Sequence, residues 1–192
     1  MVNGWAARYK SLPSGTRQIV GFLIPGDICD LHFQILGAMD HSVVAMSNCE
    51  VMFVSANEFR KLVDERPRLT RALWSTTLVD EAVLREWVLN AGRRRAYEAT
   101  AHLLCEMHFR MEQVGLVRDD HEIVMPLTLE ELGDALGITT VHMNRTLKRL
   151  REGGLVAFRS GMLSIPDVQA LQKAAGFFAD YLHIESLEER TS

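Results

Sequence analysis

The sequence predicts an α+β chain in three parts, and three observations predict it. Short apolar, β-branched runs broken by turn signals fill roughly residues 1–56. A single long helical pattern follows from about Pro67. Two short helices around a glycine turn, closed by a hairpin, occupy the last third. The 192 residues are 47% apolar and 24% charged, which is enough to bury a core and excludes a disordered or collagen-like chain. The net charge is −4, so a case for a polyanionic partner has to be local rather than global. Three cysteines, Cys29, Cys49 and Cys105, are odd in number and widely spaced, which argues against a disulfide framework. No apolar run reaches the roughly 18 residues that span a bilayer, and MVNGWAARYK has no signal-peptide core. A cytoplasmic protein without a membrane partner is expected.

In the first part, Gly4–Tyr9 and Gln18–Ile24 read as strands separated by the turn Pro13-Ser14-Gly15, the second strand stopping at Pro25-Gly26-Asp27. Ser42–Met46 and Cys49–Val54 are two further strand candidates. About five strands is few for a closed sheet, so this part reads as incomplete at its N-terminal side. Ser55 with Glu58 makes a capping box that opens a short helix to about Asp64. The long helix then runs from Pro67 to about Asn90, before Gly92. Along it Leu69, Leu73, Thr76, Asp80, Val83, Trp87 and Asn90 recur at spacings of four and three. We read them as a two-stranded dimer seam, against the plainer alternative of an amphipathic core helix. Ala96–Val114 is a further helix with Ala101, Leu104, Cys105, His108 and Met111 on one side and Gly115 as its C-cap.

Residues 128–151 read TLEELGDALGITTVHMNRTLKRLR. Thr128 with Glu131 is a second capping box. Leu129, Leu132, Ala135 and Leu136 form an apolar face, Gly133 permits close approach, and Gly137 sits where a tight turn needs a left-handed residue. Thr139 caps a second helix with Val141, Met143, Leu147 and Leu150. Two helices so joined make a helix-turn-helix. The first carries Glu130, Glu131 and Asp134 and no base; residues 139–151 carry Arg145, Lys148, Arg149 and Arg151 and no acid. In a chain of net charge −4, such a cationic helix points to duplex DNA. Its leading residues would face base edges in the major groove: Thr140 and Val141 through their methyls, Arg145 through a bidentate pair to guanine. Thr128, Thr139, His142, Asn144 and Lys148 are the phosphate candidates. Leu155–Phe158, the turn Arg159-Ser160-Gly161 and Met162–Ile165 form a hairpin, the wing, with Arg159 at its tip as a further phosphate contact. Pro166-Asp167 starts a last helix to about residue 175, and a polar tail, SLEERTS, ends the chain.

This order of parts resembles the Crp/Fnr family of bacterial transcription regulators, with its cyclic-nucleotide-type β-roll, long dimerisation helix and winged helix-turn-helix. The resemblance is carried by Pro126-Leu127-Thr128 running into LEELGDALG, by Thr139–Leu147, and by the Gly26-Asp27 turn. It implies a partial effector β-roll over residues 1–66, a dimerisation helix over 67–92 and a winged helix-turn-helix DNA-binding domain over 93–192. It also implies a homodimer on a pseudo-palindromic operator, acting with RNA polymerase. Two departures stand out. The β-roll begins where members of the family have already passed several strands. The phosphate-binding cassette of the cyclic-AMP-binding members is not matched either: Asp30-Leu31 replaces a Gly-Glu pair and His41-Ser42 replaces an Arg-Ser pair. An acid stands where glycine would let the backbone approach a phosphate, and an imidazole lacks the permanent charge of arginine. Cyclic AMP is therefore not the expected effector, and the three cysteines are too few for a four-thiolate iron–sulfur site.

His102, Cys105, Glu106 and His108 share two turns of one helix, but we read them as packed side chains rather than a metal set. No cofactor or metal is expected. No phosphate loop, nucleophile elbow or HExxH helix is present, so no catalytic site is expected. The competing reading is a small-molecule or redox sensor, in which a ligand in the β-roll switches DNA binding.

Overall fold

The computed structural model describes residues 1–31 and 36–183. The polar tail at 186–192 therefore lies outside the described residues. Among the described residues, six strands and six α-helices follow in chain order: β1 (Ala6–Ser11), β2 (Arg17–Leu23), β3 (Ser42–Ala45), α1 (Ala56–Glu65), α2 (Pro67–Gly92), α3 (Ala96–Gln113), β4 (Glu122–Val124), α4 (Leu129–Leu136), α5 (Thr140–Glu152), β5 (Ala157–Arg159), β6 (Met162–Ser164) and α6 (Val168–Ala175). Short 3₁₀ turns cover Asp119–His121 and Ala179–Leu182.

The N-terminal sheet has the order β2-β1-β3, antiparallel throughout. A bulge between Arg8 and Tyr9 shifts its register and twists it over the helices. Its buried face carries Trp5, Ala7, Ile19, Phe22 and Ile24. Phe22 sits edge-on to Trp5 at 6.2 Å and to Trp87 of α2 at 5.6 Å, so sheet and helices share one core. The expected strand at Cys49–Val54 is not formed. Only Glu50 pairs, with Asn3, and Phe53 is 90% exposed. An apolar, strand-favouring run becomes a strand only where another edge meets it.

Two helix predictions need revision. The Leu69–Trp87 seam faces largely inward, because its lower half is engaged within the subunit. Asp80 pairs with Arg8 at 3.1 Å. Trp87 and Asn90 are buried, and Val83 packs on the core. Leu73 is buried as well, while Leu69 and Thr76 stay exposed. The opposite face of α2 remains free: Trp74, Leu78 and Val88 are 71%, 60% and 65% exposed. The second revision concerns α3, which is buried on every side from Ala99 to His108, where the sequence suggested one apolar face.

Glu106 and Arg110 of α3 are paired inside, whereas both ring nitrogens of the buried His108 have no hydrogen-bond partner among the described residues. Glu106, with no exposed surface, accepts from Trp87 Nε1 at 3.1 Å and from the Tyr181 hydroxyl at 3.1 Å. Arg110 lies 3.6 Å from the same carboxylate and pairs with Asp27 at 2.6 Å. Burial pushes the Glu106 carboxyl up, opposed by Arg110. His102 faces Glu86 and Asn90 rather than Glu106, so the i,i+4 pair of imidazole and carboxylate is separated by its partners. Burial, with Arg94 nearby, pulls the His102 pKa down to about 4, which keeps that ring neutral. Replacing Glu106 with Ala would leave the Trp87 N–H, the Tyr181 hydroxyl and part of the Arg110 charge unpaired. We expect a loss of about 3–5 kcal/mol, read as a lowered midpoint in urea unfolding.

Candidate nucleic-acid interface

Local chemistry builds the helix-turn-helix. Thr128 Oγ1 accepts from the Glu131 N–H, and a Glu131 carboxylate oxygen accepts from the Thr128 N–H at 2.7 Å, so both halves of the capping box close and start α4. Leu132, Gly133, Ala135 and Leu136 are its buried side. Gly137 ends the helix in the left-handed region at φ 67°. The Ile138 N–H turns back to the Gly133 carbonyl at 3.1 Å. A Cβ on Gly133 would lie 2.6 Å from the Ile138 carbonyl oxygen, so only glycine fits this crossing. Thr139 Oγ1 then accepts from the His142 N–H and starts α5.

Met143, Thr146, Leu147 and Leu150 anchor α5 to the core. Its other side is exposed and holds Thr140, Val141, His142, Asn144, Arg145, Lys148, Arg149 and Arg151. Val141 is 69% exposed, a position that burial cannot account for. Val141 and Arg145 are one turn apart and share a face, with Thr140 beside them at the helix start. The helix runs one residue further than expected and includes Glu152, which lies 3.7 Å from Lys148. Its surplus is thus three positive charges rather than four. Arg149 leans back over the Tyr97 ring of α3 at 5.0 Å. Among the described residues, Arg145 and Arg151 make no ion pair.

Thr128, Asn144 and Lys148 line one cleft of about 330 Å³ between the start of α4, α5 and the wing, together with Arg151. Three of the expected phosphate contacts are therefore neighbours, and Arg151 joins them; sequence reading counted it only as one of the helix's bases. Thr139 and His142 sit at the exposed start of α5. Arg159 ends β5 on the opposite side of the hairpin turn from Met162. The turn residues Ser160 and Gly161 both have positive φ, 49° and 76°, which suits a two-residue hairpin. β6 also pairs with β4, so the wing is a three-stranded sheet of order β4-β6-β5. Asp167 caps α6 behind it, accepting from the Ala170 N–H at 2.9 Å.

Comparison with known proteins agrees with this geometry. Residues 98–174 match the Crp-like helix-turn-helix domain and residues 1–66 the cyclic nucleotide-binding domain. The chain is 30% identical over 177 residues to the nitrogen fixation regulation protein FixK of Bradyrhizobium diazoefficiens, covering 91% of this chain and 73% of that protein. It is 28% identical over 183 residues to the transcriptional activator protein FnrL of Cereibacter sphaeroides, covering 94% and 73% respectively. The crystal structure of FixK2 from Bradyrhizobium japonicum superposes with a TM-score of 0.77 at 26% identity, over 93% of this chain and 86% of that one.

Gly133→Ala tests the crossing of the two helices. The methyl would meet backbone that cannot swing aside, so we expect a loss of about 1–3 kcal/mol in thermal unfolding, together with weakened DNA binding.

Proposed function

The chain belongs to the Crp/Fnr family of DNA-binding transcription regulators, and from that premise we propose that it acts as a homodimer reading a pseudo-palindromic operator through α5. The observation that carries this reading is the outward face of α5. Thr140, Val141 and Arg145 are exposed there and unengaged by the subunit's own core. Arg145 is assigned the guanine contact, and Thr140 and Val141 the thymine methyls. Thr128, Thr139, His142, Asn144, Lys148 and Arg159 are assigned to phosphate, joined by Arg151.

The dimer is proposed to form through the free face of α2. Trp74, Leu78, Glu81, Arg85 and Val88 recur on it at spacings of four and three, and Glu81 and Arg85 lie 3.0 Å apart. Such an exposed stripe, apolar at Trp74, Leu78 and Val88 with an ion pair between them, is what a two-fold partner would cover. RNA polymerase is the expected further partner, on family grounds. Cyclic AMP is not the expected effector: where the family's phosphate-binding arginine stands, His41 Nδ1 faces the Asp40 carboxylate at 3.0 Å. Redox sensing needs a thiolate. Burial pushes the Cys29 thiol up and that of Cys105 to about 12, which favours the protonated thiol at both.

Two outcomes are expected. Arg145→Ala costs about 1–3 kcal/mol at one base pair and relaxes discrimination there, measured by competition among single-base operator variants; an equal loss on every sequence overturns its base-reading role. Leu78→Glu converts the dimer to monomer in sedimentation equilibrium and abolishes binding to a two-half-site duplex while each subunit stays folded.

A further inference from the structure

The helix-turn-helix is tied to the N-terminal sheet of its own subunit. Arg17, the first residue of β2, directs its guanidinium at Asp134 of α4, with Nη2 at 2.7 Å and Nε at 2.8 Å from the same carboxylate oxygen. Its guanidinium carbon lies 5.8 Å from the Tyr9 ring centroid on the adjacent strand, which limits its freedom. The next residue, Gln18, donates its side-chain amide to the Ala135 carbonyl at 3.1 Å, taking one of the four carbonyls that the end of α4 leaves open. Its amide oxygen lies 3.8 Å from where a Cβ on Gly137 would stand. The residue after that, Ile19, is fully buried. Two successive residues of one strand, Arg17 and Gln18, thus anchor the last turn of α4. The Arg17 and Asp134 side chains are 30% and 24% exposed, so the pair is shielded more than an open surface bridge.

Resting on the reading of α5 as the DNA-reading helix, we propose that Arg17 is a positioning residue for DNA recognition. It touches no nucleic acid. Through Asp134 it fixes the angle of the helix-turn-helix against the sheet, and through the sheet against α2. The spacing of two α5 helices on one duplex depends on that angle, because half-sites lie about 34–36 Å apart, one turn of the double helix. The clamp leaves Thr140, Val141 and Arg145 exposed, so it holds a state that can engage DNA. Releasing it widens the range of helix positions and lowers the affinity for every sequence alike. Asp27–Arg110 and Phe22–Trp87 hold α3 and α2 to the same sheet, so release loosens α4 and α5 without detaching the domain.

The test uses the full chain with Arg17→Ala, Asp134→Ala and the charge swap Arg17→Asp with Asp134→Arg, on a duplex selected by the wild type from a random pool. Each single substitution is expected to weaken binding about two- to fivefold with base preferences and salt slope unchanged, and the swap to regain most of the loss. Unchanged or raised affinity overturns the proposal. So does a salt slope reduced by about one, since Arg17 would then be meeting phosphate itself. A second arm needs no DNA. Spin labels at Leu12→Cys and Glu130→Cys, with Cys29 and Cys49 replaced by Ser, should give a narrow distance distribution that broadens on Arg17→Ala. Equal widths overturn the clamp. If the wild-type distance is narrow but the wild-type chain retains no duplex from the random pool, the reading of α5 is overturned, and the positioning role with it, while the clamp stands.

Discussion

The carboxylate of Glu106 is the point on which the three parts of the chain converge. It receives the Trp87 N–H from α2 and the Tyr181 hydroxyl from the C-terminal 3₁₀ turn, and it faces Arg110, which continues to Asp27 in the turn after β2. Asp27 in turn accepts from the Ile24 N–H at 2.8 Å and closes that turn. Taking a carboxylate and a guanidinium out of water costs several kcal/mol each, and mutual attraction offsets this only when the remaining donors and acceptors are filled. Here they are, by groups from three separate segments. The network therefore contributes less as net stability than as a demand for one arrangement, because any sliding of sheet, long helix or C-terminal turn leaves a buried polar atom without its partner.

That demand matters for an α5 whose own surface is built for something else. Its charge is concentrated on the side away from the core, and four buried residues hold it down: Met143, Thr146, Leu147 and Leu150. Two of the three acids of α4 do not oppose it freely, since Glu131 closes a cap and Asp134 meets Arg17, and Glu130 alone stays exposed. A chain with net charge −4 thus presents a locally positive face by committing nearby carboxylates to structural contacts.

The helix-turn-helix and wing were legible because their signals are local. A capping box, a left-handed glycine and a two-residue turn each depend on residues within four of one another. The N-terminal strands were legible to within a residue or two for the same reason, except at Val51–Val54, where apolar composition alone could not supply a neighbouring edge. Much of the expected dimer seam packs inside the subunit, and the sequence did not show this because α2 is apolar on two faces. A four-three spacing fits Leu73, Val83 and Trp87, and it fits Trp74, Leu78 and Val88 equally well. Periodicity reports that a face exists, and tertiary contact decides what it meets. Arg17–Asp134 and Asp27–Arg110 join residues 117 and 83 positions apart and leave no mark in either local sequence.

The two faces of α2 also explain why one helix serves both as core and as proposed interface. Trp87 and Val88 are consecutive, one directed into the subunit and one out of it. Turning α2 about its axis to present another face to a partner would pull Trp87 from Glu106 and Phe22, and Asp80 from Arg8. The inner contacts thereby set which outer residues a second copy meets. In the proposed dimer, the angle between subunits is then fixed by the same side chains that hold the sheet to α3, and the sheet in turn grips α4 through Arg17. In that proposed dimer, a disturbance in the N-terminal sheet would reach the spacing of the two proposed DNA-reading helices through contacts within each subunit.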